Sequence, residues 1–260
     1  MKVAGSRALV TGASGGLGAV IARRLSHEGA QLVLTGRREA ELAVLASELG
    51  SATRVVPADL SEVEEVRRLA DEVHRVDLFV ANAGLPANGE VLDLDVEEIV
   101  RAVDVNVRAT LILTRLLLPG MVRAGRGHVV IIGSLAGLAV TPRSSIYNAG
   151  KFALRGFGHA LREELRGTGV GVSLVSPTFI AEAGMWADTG LRAAHPEVVP
   201  RQVADACIRA VTKDRGEILV APRLQRLVAR MTGLFPELMQ PVLRSSVVPP
   251  QAVTAQKSKR

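Results

Sequence analysis

Tyr147 and Lys151 lie four positions apart, and Ser134 precedes the tyrosine by thirteen. On a helix, residues i and i+4 share a face, so the phenol and the ammonium can meet. A free phenol titrates near about 10, too high for easy proton exchange at neutral pH. A neighbouring ammonium favours the phenolate and lowers that value. The pair is therefore a candidate general acid/base for a carbonyl or an alcohol. Ser134 closes the apolar run His128 to Gly133, which reads as a buried strand, so its hydroxyl is placed to hydrogen-bond the same substrate oxygen. A lone Tyr-x-x-x-Lys equally describes a tyrosine beside a solvated lysine. Here Tyr147 is the only tyrosine of the chain, and the glycine-rich amino terminus favours chemistry.

That amino terminus runs Arg7 to Val10, an apolar strand pattern, then Thr11-Gly12-Ala13-Ser14-Gly15-Gly16-Leu17-Gly18, then a helical pattern through Arg24 and Leu25. Glycines permit the tight turn and let the backbone approach a pyrophosphate resting on the helix N-terminus. A plain strand–helix connection has no need of glycine at 12, 15, 16 and 18 together. A second apolar run, Gln31 to Thr35, ends in Gly36-Arg37-Arg38. An acid at this junction would take the ribose hydroxyls of NAD, whereas arginine accommodates the 2′-phosphate of NADP. No acid stands there, so NADP (NADPH) is expected over NAD. The competing reading makes both arginines the solvated start of the next helix. The phosphate role is favoured for Arg37 and stays open for Arg38.

Taken in order, Thr11-Gly-x-x-x-Gly-x-Gly18, Asn82-Ala83-Gly84, Asn106, Ser134 and Tyr147-x-x-x-Lys151 resemble the short-chain dehydrogenase/reductase family, over roughly residues 5 to 220. The resemblance implies one Rossmann-type α/β domain with a seven-stranded parallel sheet, and hydride transfer between NAD(P) and a carbonyl/alcohol pair. It implies that Gly12, Ser14, Gly15, Gly16, Leu17 and Gly18 form the pyrophosphate loop. Asp59, followed by Leu60, would contact the adenine, and Asn82, Ala83 and Gly84 would close the cofactor cleft. Asn106 would hold a water relaying protons toward Lys151. Ser134 would orient the substrate oxygen and Tyr147 would exchange the proton. Lys151 would also hold the nicotinamide ribose, and Pro177 would mark the loop over the nicotinamide. The chain departs from the family pattern in places. Thr178 replaces a glycine, Glu182 stands where a carboxamide-binding threonine is usual, and Ala81 precedes the Asn-Ala-Gly where asparagine is common. Gly15 stands where NADP-binding members carry a basic residue, so the NADP expectation rests on Arg37 and Arg38.

Strand patterns at 7–10, 31–35, 53–57, 77–81, 128–133, 170–176 and 217–220 alternate with helical patterns near 16–29, 38–49, 61–74, 95–119, 146–167 and 200–213. Strict alternation implies a parallel sheet covered on both faces, with right-handed crossovers. Gly12, Arg37, Asp59, Asn82, Ser134 and Pro177 then fall at the strand C-termini, the edge where open α/β sheets bind ligands.

The expected division is a catalytic domain over 1–222, a helical extension over 223–246 and a disordered tail over 247–260. Within the domain, 178–200 reads as a substrate lid carrying Phe179, Met185 and Trp186; Trp186 either caps an apolar substrate or packs the lid on the body. Leu224, Leu227, Val228, Met231, Leu234, Phe235, Leu238, Met239, Val242 and Leu243 recur at helical spacing, interrupted by Pro236 and Pro241. Packing on the chain's own core ranks first for them, a subunit contact second and a membrane surface third.

At 260 residues and 48% hydrophobic content, the chain can bury one large core. Cys207 is the only cysteine, which excludes an internal disulfide and fits a reducing cytosol. The five histidines lack ligand spacing, so no metal is expected. The net charge is +6, but the arginines are scattered among acids, with a basic cluster only at Lys257, Lys259 and Arg260, so no nucleic acid is expected. Met1-Lys2 leads straight into the first strand without a signal pattern, and apolar stretches are cut by Arg108 and Arg115 short of the ~20 residues a membrane span needs. The expectation is a cytoplasmic homodimer or homotetramer. It interconverts a ketone and a secondary alcohol, lipid-like or 3-oxoacyl, with a small polar alcohol as the rival substrate. A non-catalytic NADPH sensor is disfavoured by the intact Ser134, Tyr147 and Lys151.

Overall fold

The computed structural model describes residues 1–191, 193, 196–244 and 248–256. Seven strands pair in parallel: β1 (Arg7–Thr11), β2 (Gln31–Thr35), β3 (Thr53–Val55), β4 (Leu78–Ala81), β5 (Gly127–Ile132), β6 (Val170–Pro177) and β7 (Glu217–Val220). Their order across the sheet is β3-β2-β1-β4-β5-β6-β7. Leu-Phe-Val-Ala of β4 is buried at every position, the continuous apolar run required of a strand covered on both faces.

Successive side chains enter opposite cores. Val10, Leu34 and Val80 pack under α1 (Gly16–His27), α2 (Glu39–Leu49) and α7 (Pro200–Thr212). Leu9, Val33 and Phe79 pack under α3 (Val63–Val73), α5 (Ala109–Arg123) and α6 (Ser145–Glu164). Cys207 lies in the first core, where burial pushes its thiol up to about 12, so it acts as a small apolar side chain. The chain order reverses between β1 and β4, so the strand ends splay there and a cleft opens at their C-terminal edge.

Three expectations need correction. The helix read as 95–119 comprises α4 (Val96–Val103), a π-helical turn at Asp104–Arg108, and α5, which continues through Pro119 to Arg123. Val96–Arg123 is also long and apolar enough to cross a membrane, despite Arg108 and Arg115. Its Leu113, Leu117 and Met121 face the second core, which accounts for that apolarity without a bilayer. The tail read as disordered contains a helix, α10 (Pro250–Gln256), with Ala252 and Gln256 buried. Val248, Ala252 and Gln256 recur every fourth position and dock as one face, against partners far away in the sequence. Residues 257–260, with Lys257, Lys259 and Arg260, lie outside the described residues, as does Val247. Between β7 and α10 lie α8 (Arg223–Leu234) and α9 (Pro236–Arg244).

His128 sits at the start of β5, buried, with Nε2 2.7 Å from Ser173 Oγ. Burial pushes its pKa down from 6.5 to about 4, only partly offset by the Asp214 carboxylate. Above its unfolded value the ring is neutral in both states and has no effect. As pH falls from about 6.5 toward 4, the unfolded chain takes a proton that the native state refuses. The expected loss is roughly 2 kcal/mol of stability between pH 7 and pH 5. Urea midpoints at the two pH values should show it, and His128→Gln should flatten the dependence. An equally steep fall in the variant would place the titration elsewhere.

Candidate active site

The side chain of Thr11 ties the ends of β1 and β4 together. Its Oγ1 donates to the Val80 carbonyl at 3.3 Å and accepts from the amides of Asn82 at 3.0 Å and Ala83 at 3.1 Å. Asn82 Nδ2 returns a bond to the Thr11 carbonyl at 2.9 Å. Gly12 follows with φ of +65°, a conformation that L side chains rarely adopt. At Gly18 a Cβ would stand 2.2 Å from the Gly12 carbonyl oxygen, so the turn closes only around a bare α-carbon. No side chain caps the amino end of α1, whose amides are left for an anion.

Residues from the ends of β1 to β6 line one cleft of about 940 Å³. Ser14, Gly15, Gly16 and Leu17 border it at one side, and Asn82, Ala83 and Gly84 form its floor after β4. At its far end lie Arg37, Arg38, Asp59 and Leu60. The two arginines differ. Arg38 donates to the Ser14 carbonyl at 2.5 Å and pairs with Glu41 at 3.4 Å. Arg37 is exposed and makes no hydrogen bond or ion pair among the described residues; its charge contributes to holding the Asp59 carboxyl down. Burial works against the Asp59 charge. The Ser61 amide at 2.9 Å and hydroxyl at 2.7 Å, with Arg101 and Arg37, more than offset it and hold the carboxyl below its usual range.

Ser134 opens a short 3-10 turn, Leu135–Gly137, and its Oγ accepts from the Ala136 amide at 3.1 Å. The Ser134 hydroxyl also acts on the Tyr147 phenol, favouring its charged form. Tyr147 and Lys151 lie one turn apart on α6, and Lys151 Nζ donates to the Ile132 carbonyl at 2.9 Å. Nζ stands 5.6 Å from the centre of the Tyr147 ring. Burial pushes the Lys151 ammonium down to about 8. The expectation that Lys151 lowers the Tyr147 pKa is corrected here. Burial of the phenol raises it, and only the Ser134 hydroxyl opposes that rise. Nζ is turned to the Ile132 carbonyl, so desolvation outweighs its charge.

Asn106 lies on the π-helical turn, behind Gly84. Its Oδ1 accepts from the Leu85 amide at 2.6 Å and its Nδ2 donates to the Leu85 carbonyl at 3.0 Å. Both ends of the carboxamide thus clamp the loop after β4. The backbone of Asn106 is opened by the π turn, where the Ala109 amide reaches the Asp104 carbonyl. Pro177 ends β6, and the chain beyond it folds back through a parallel bridge between Ile180 and Val198. Phe179 and Trp186 pack at a tilt of 55° with ring centres 4.6 Å apart, and Trp186 Nε1 donates to Glu197 at 2.8 Å. Trp186 thus packs within the lid while also lining the cleft. Met185 reaches over Gly84. Among the described residues, no three His, Cys, Asp or Glu side chains gather to hold a metal.

Several cleft residues carry no local sequence signal. Leu224, Val228, Val242 and Val248 line its mouth from the carboxy-terminal segment. A hydrogen-bonded strap also crosses it. Ser144 Oγ donates to Asn88 Oδ1, Asn88 Nδ2 donates to Gln256 Oε1 at 2.8 Å, and Gln256 Nε2 donates to the Met185 carbonyl at 3.0 Å.

Residues 6–192 match the family described as short chain dehydrogenase. A ketoacyl reductase of Nostoc sp., HetN, is 35% identical over 227 residues, 83% of this chain and 78% of that protein. Among solved structures, a metagenomic short-chain oxidoreductase in complex with NADP aligns with a TM-score of 0.73 and 33% identity, over 85% of this chain and 99% of its own. A 3-ketoacyl-(acyl-carrier-protein) reductase from Brucella melitensis, complexed with NADH, aligns with a TM-score of 0.75 and 25% identity, over 84% and 98%.

Gln256 lies well beyond the matched range and roofs the cleft from outside it. Removing its side chain should free the Met185 carbonyl and with it the turn Ala187–Thr189. In Gln256→Ala, amide exchange across Trp186 to Gly190 should quicken by about fivefold to tenfold, the worth of one hydrogen bond. Exchange unchanged from wild type would mean that the strap does not hold the lid.

Proposed function

The chain belongs to the short-chain dehydrogenase family and is an NAD(P)-dependent oxidoreductase; from that premise we propose that it reduces a lipid-like or 3-oxoacyl ketone with NADPH. The observation that carries the reading is the convergence of Ser134, Tyr147 and Lys151 on a cleft whose far end offers Arg37. The residues fit a dinucleotide. The Gly12–Gly18 approach leaves room for a pyrophosphate at the uncapped start of α1. Asp59 and Leu60 lie where the adenine would rest. The Arg37 guanidinium is free to bind a 2′-phosphate, while Arg38, tied to Ser14, shapes the wall beside it. When bound, the cofactor supplies the hydride.

The protein's own groups do the rest. Ser134 hydrogen-bonds the ketone oxygen and stabilises the charge that develops there. Tyr147 donates its proton to that oxygen. A phenol held protonated by burial is the form that reduction needs. Lys151, with a pKa near 8, shares its proton between two states at neutral pH and restores the phenol. The Asn106 backbone holds the water that reconnects Lys151 to solvent. Phe179, Met185, Trp186, Leu224, Val228 and Val248 give the mouth an apolar lining, which suits an acyl chain better than a small polar alcohol. The names of the Nostoc and Brucella proteins point the same way.

Tyr147→Phe should lower kcat by about 100-fold or more while NADPH affinity stays within about twofold, because the hydroxyl moves the proton and the ring holds nothing. Fluorescence titration beside steady-state rates tests both halves, and a variant with near-normal kcat would remove the acid/base role.

Arg37→Asp replaces a charge-assisted hydrogen bond to the phosphate with repulsion. The ratio of kcat/KM for NADPH over NADH should fall by about 10- to 100-fold. An unchanged ratio, or a wild type that prefers NADH, would overturn the cofactor assignment.

A further inference from the structure

The charge of this chain is not spread evenly. Residues 1–220 carry 25 basic and 25 acidic side chains, so the whole net charge of +6 belongs to residues 221–260, where seven bases face the single acid Glu237. Helix α8 is also inverted relative to an ordinary core-packed helix. It buries two small residues, Thr232 and Ala229, the latter against Leu138 and Leu219, and exposes Leu224, Leu227 and Leu234. Leu224, Leu227, Leu234, Phe235, Leu238 and Val242 of α8, α9 and their junction are between 47% and 73% exposed. Packing on the chain's own core, ranked first from the sequence, accounts for only the narrow inner strip.

The exposed groups are ordered. At 3.6 residues per turn, 224, 227, 231 and 234 fall on one stripe of α8, and 223, 226 and 230 fall on the stripe beside it. An apolar row is thus edged by Arg223, Arg226 and Arg230, whose stems can lie along it while their heads reach outward. The patch is continuous with the cleft, because Leu224, Val228 and Val242 also line its mouth.

We propose that α8 and α9 dock this protein on an anionic lipid surface, with the mouth of the cleft against the bilayer. Two short helices with apolar residues on one side and arginines at the edge suit the headgroup boundary, and neither needs to span it. A second copy of the chain fits less well, since a two-fold contact would set these like charges against one another. The docking stands on this surface alone. That the site draws its ketone from the bilayer rests on the lipid-like substrate proposed above.

The test is co-sedimentation of the full chain with phosphatidylcholine vesicles, with and without about 30 mol% phosphatidylglycerol. Wild type should pellet with the anionic vesicles and much less with the neutral ones. Replacing Arg223, Arg226 and Arg230 together by Gln should weaken binding by about 100-fold. Replacing Leu227, Leu234 and Leu238 together by Gln should weaken it at least as much. These three leucines lie outside the cleft lining, so turnover of a short water-soluble ketone should persist and report a folded enzyme. Failure of the wild type to pellet, or pelleting of either variant undiminished from the wild type, would overturn the proposal. So would a drop in solution mass of the leucine variant, which would show that a second copy covers the stripe. Docking without faster turnover of a long-chain ketone in vesicles would uphold the surface and refute the substrate instead.

Discussion

The site depends on the hydrogen-bonded junction between the ends of β1 and β4. At that point the sheet reverses its order, and two neighbouring strands send their chains to opposite faces. Thr11 and Asn82 bridge the gap with five bonds, so the strand ends cannot drift apart. Gly12 and Gly18 can then approach each other to a distance that no other residue allows. The orientation of α1, the width of the cleft and the direction of the amides at its floor all follow from that contact. Asn106 repeats the device further along the same loop after β4, clamping Leu85 by both its amide and its carbonyl.

Burial is the second force shaping the chemistry. In the cleft it pushes the phenol of Tyr147 up and the ammonium of Lys151 down, so both groups lean toward their neutral forms. The hydroxyl of Ser134 opposes the rise at the phenol, and the carbonyl of Ile132 keeps the ammonium hydrogen-bonded under that pressure. The same force makes Cys207 and His128 inert core residues, and their burial is structural in both cases. Only position separates the two outcomes: Tyr147 and Lys151 are desolvated beside open space, whereas His128 and Cys207 are desolvated within packed side chains.

The carboxy-terminal segment obeys different rules from the body. Its helices bury small residues and display large ones, and it holds the whole charge imbalance of the chain. It also completes the roof of the cleft through Gln256, a residue 71 positions away from the Met185 carbonyl it bonds. The roof of the cleft is thus completed by a part of the chain that lies outside the family match.

The local features were legible because periodicity and turn chemistry are local. The seven apolar runs, the glycines at 12 and 18 and the Tyr147–Lys151 spacing need only their near neighbours to be recognised, and the topology rules then bring the strand ends to one edge. Other features were decided only by the folded chain. Arg37 and Arg38 look alike in the sequence, and the difference between them is the Ser14 carbonyl, which the fold brings to Arg38. The direction of the Tyr147 shift was misjudged because the proximity of Lys151 is visible in the spacing, whereas desolvation is a property of everything packed around the phenol. The tail was misread because a helix of seven residues has too few internal bonds to announce itself; Ala252 and Gln256 become ordered only against distant surfaces. Sequence determined which groups were available for chemistry; tertiary structure decided their hydration, their partners and their roof, because burial and long-range contact are sums over residues that no local pattern contains.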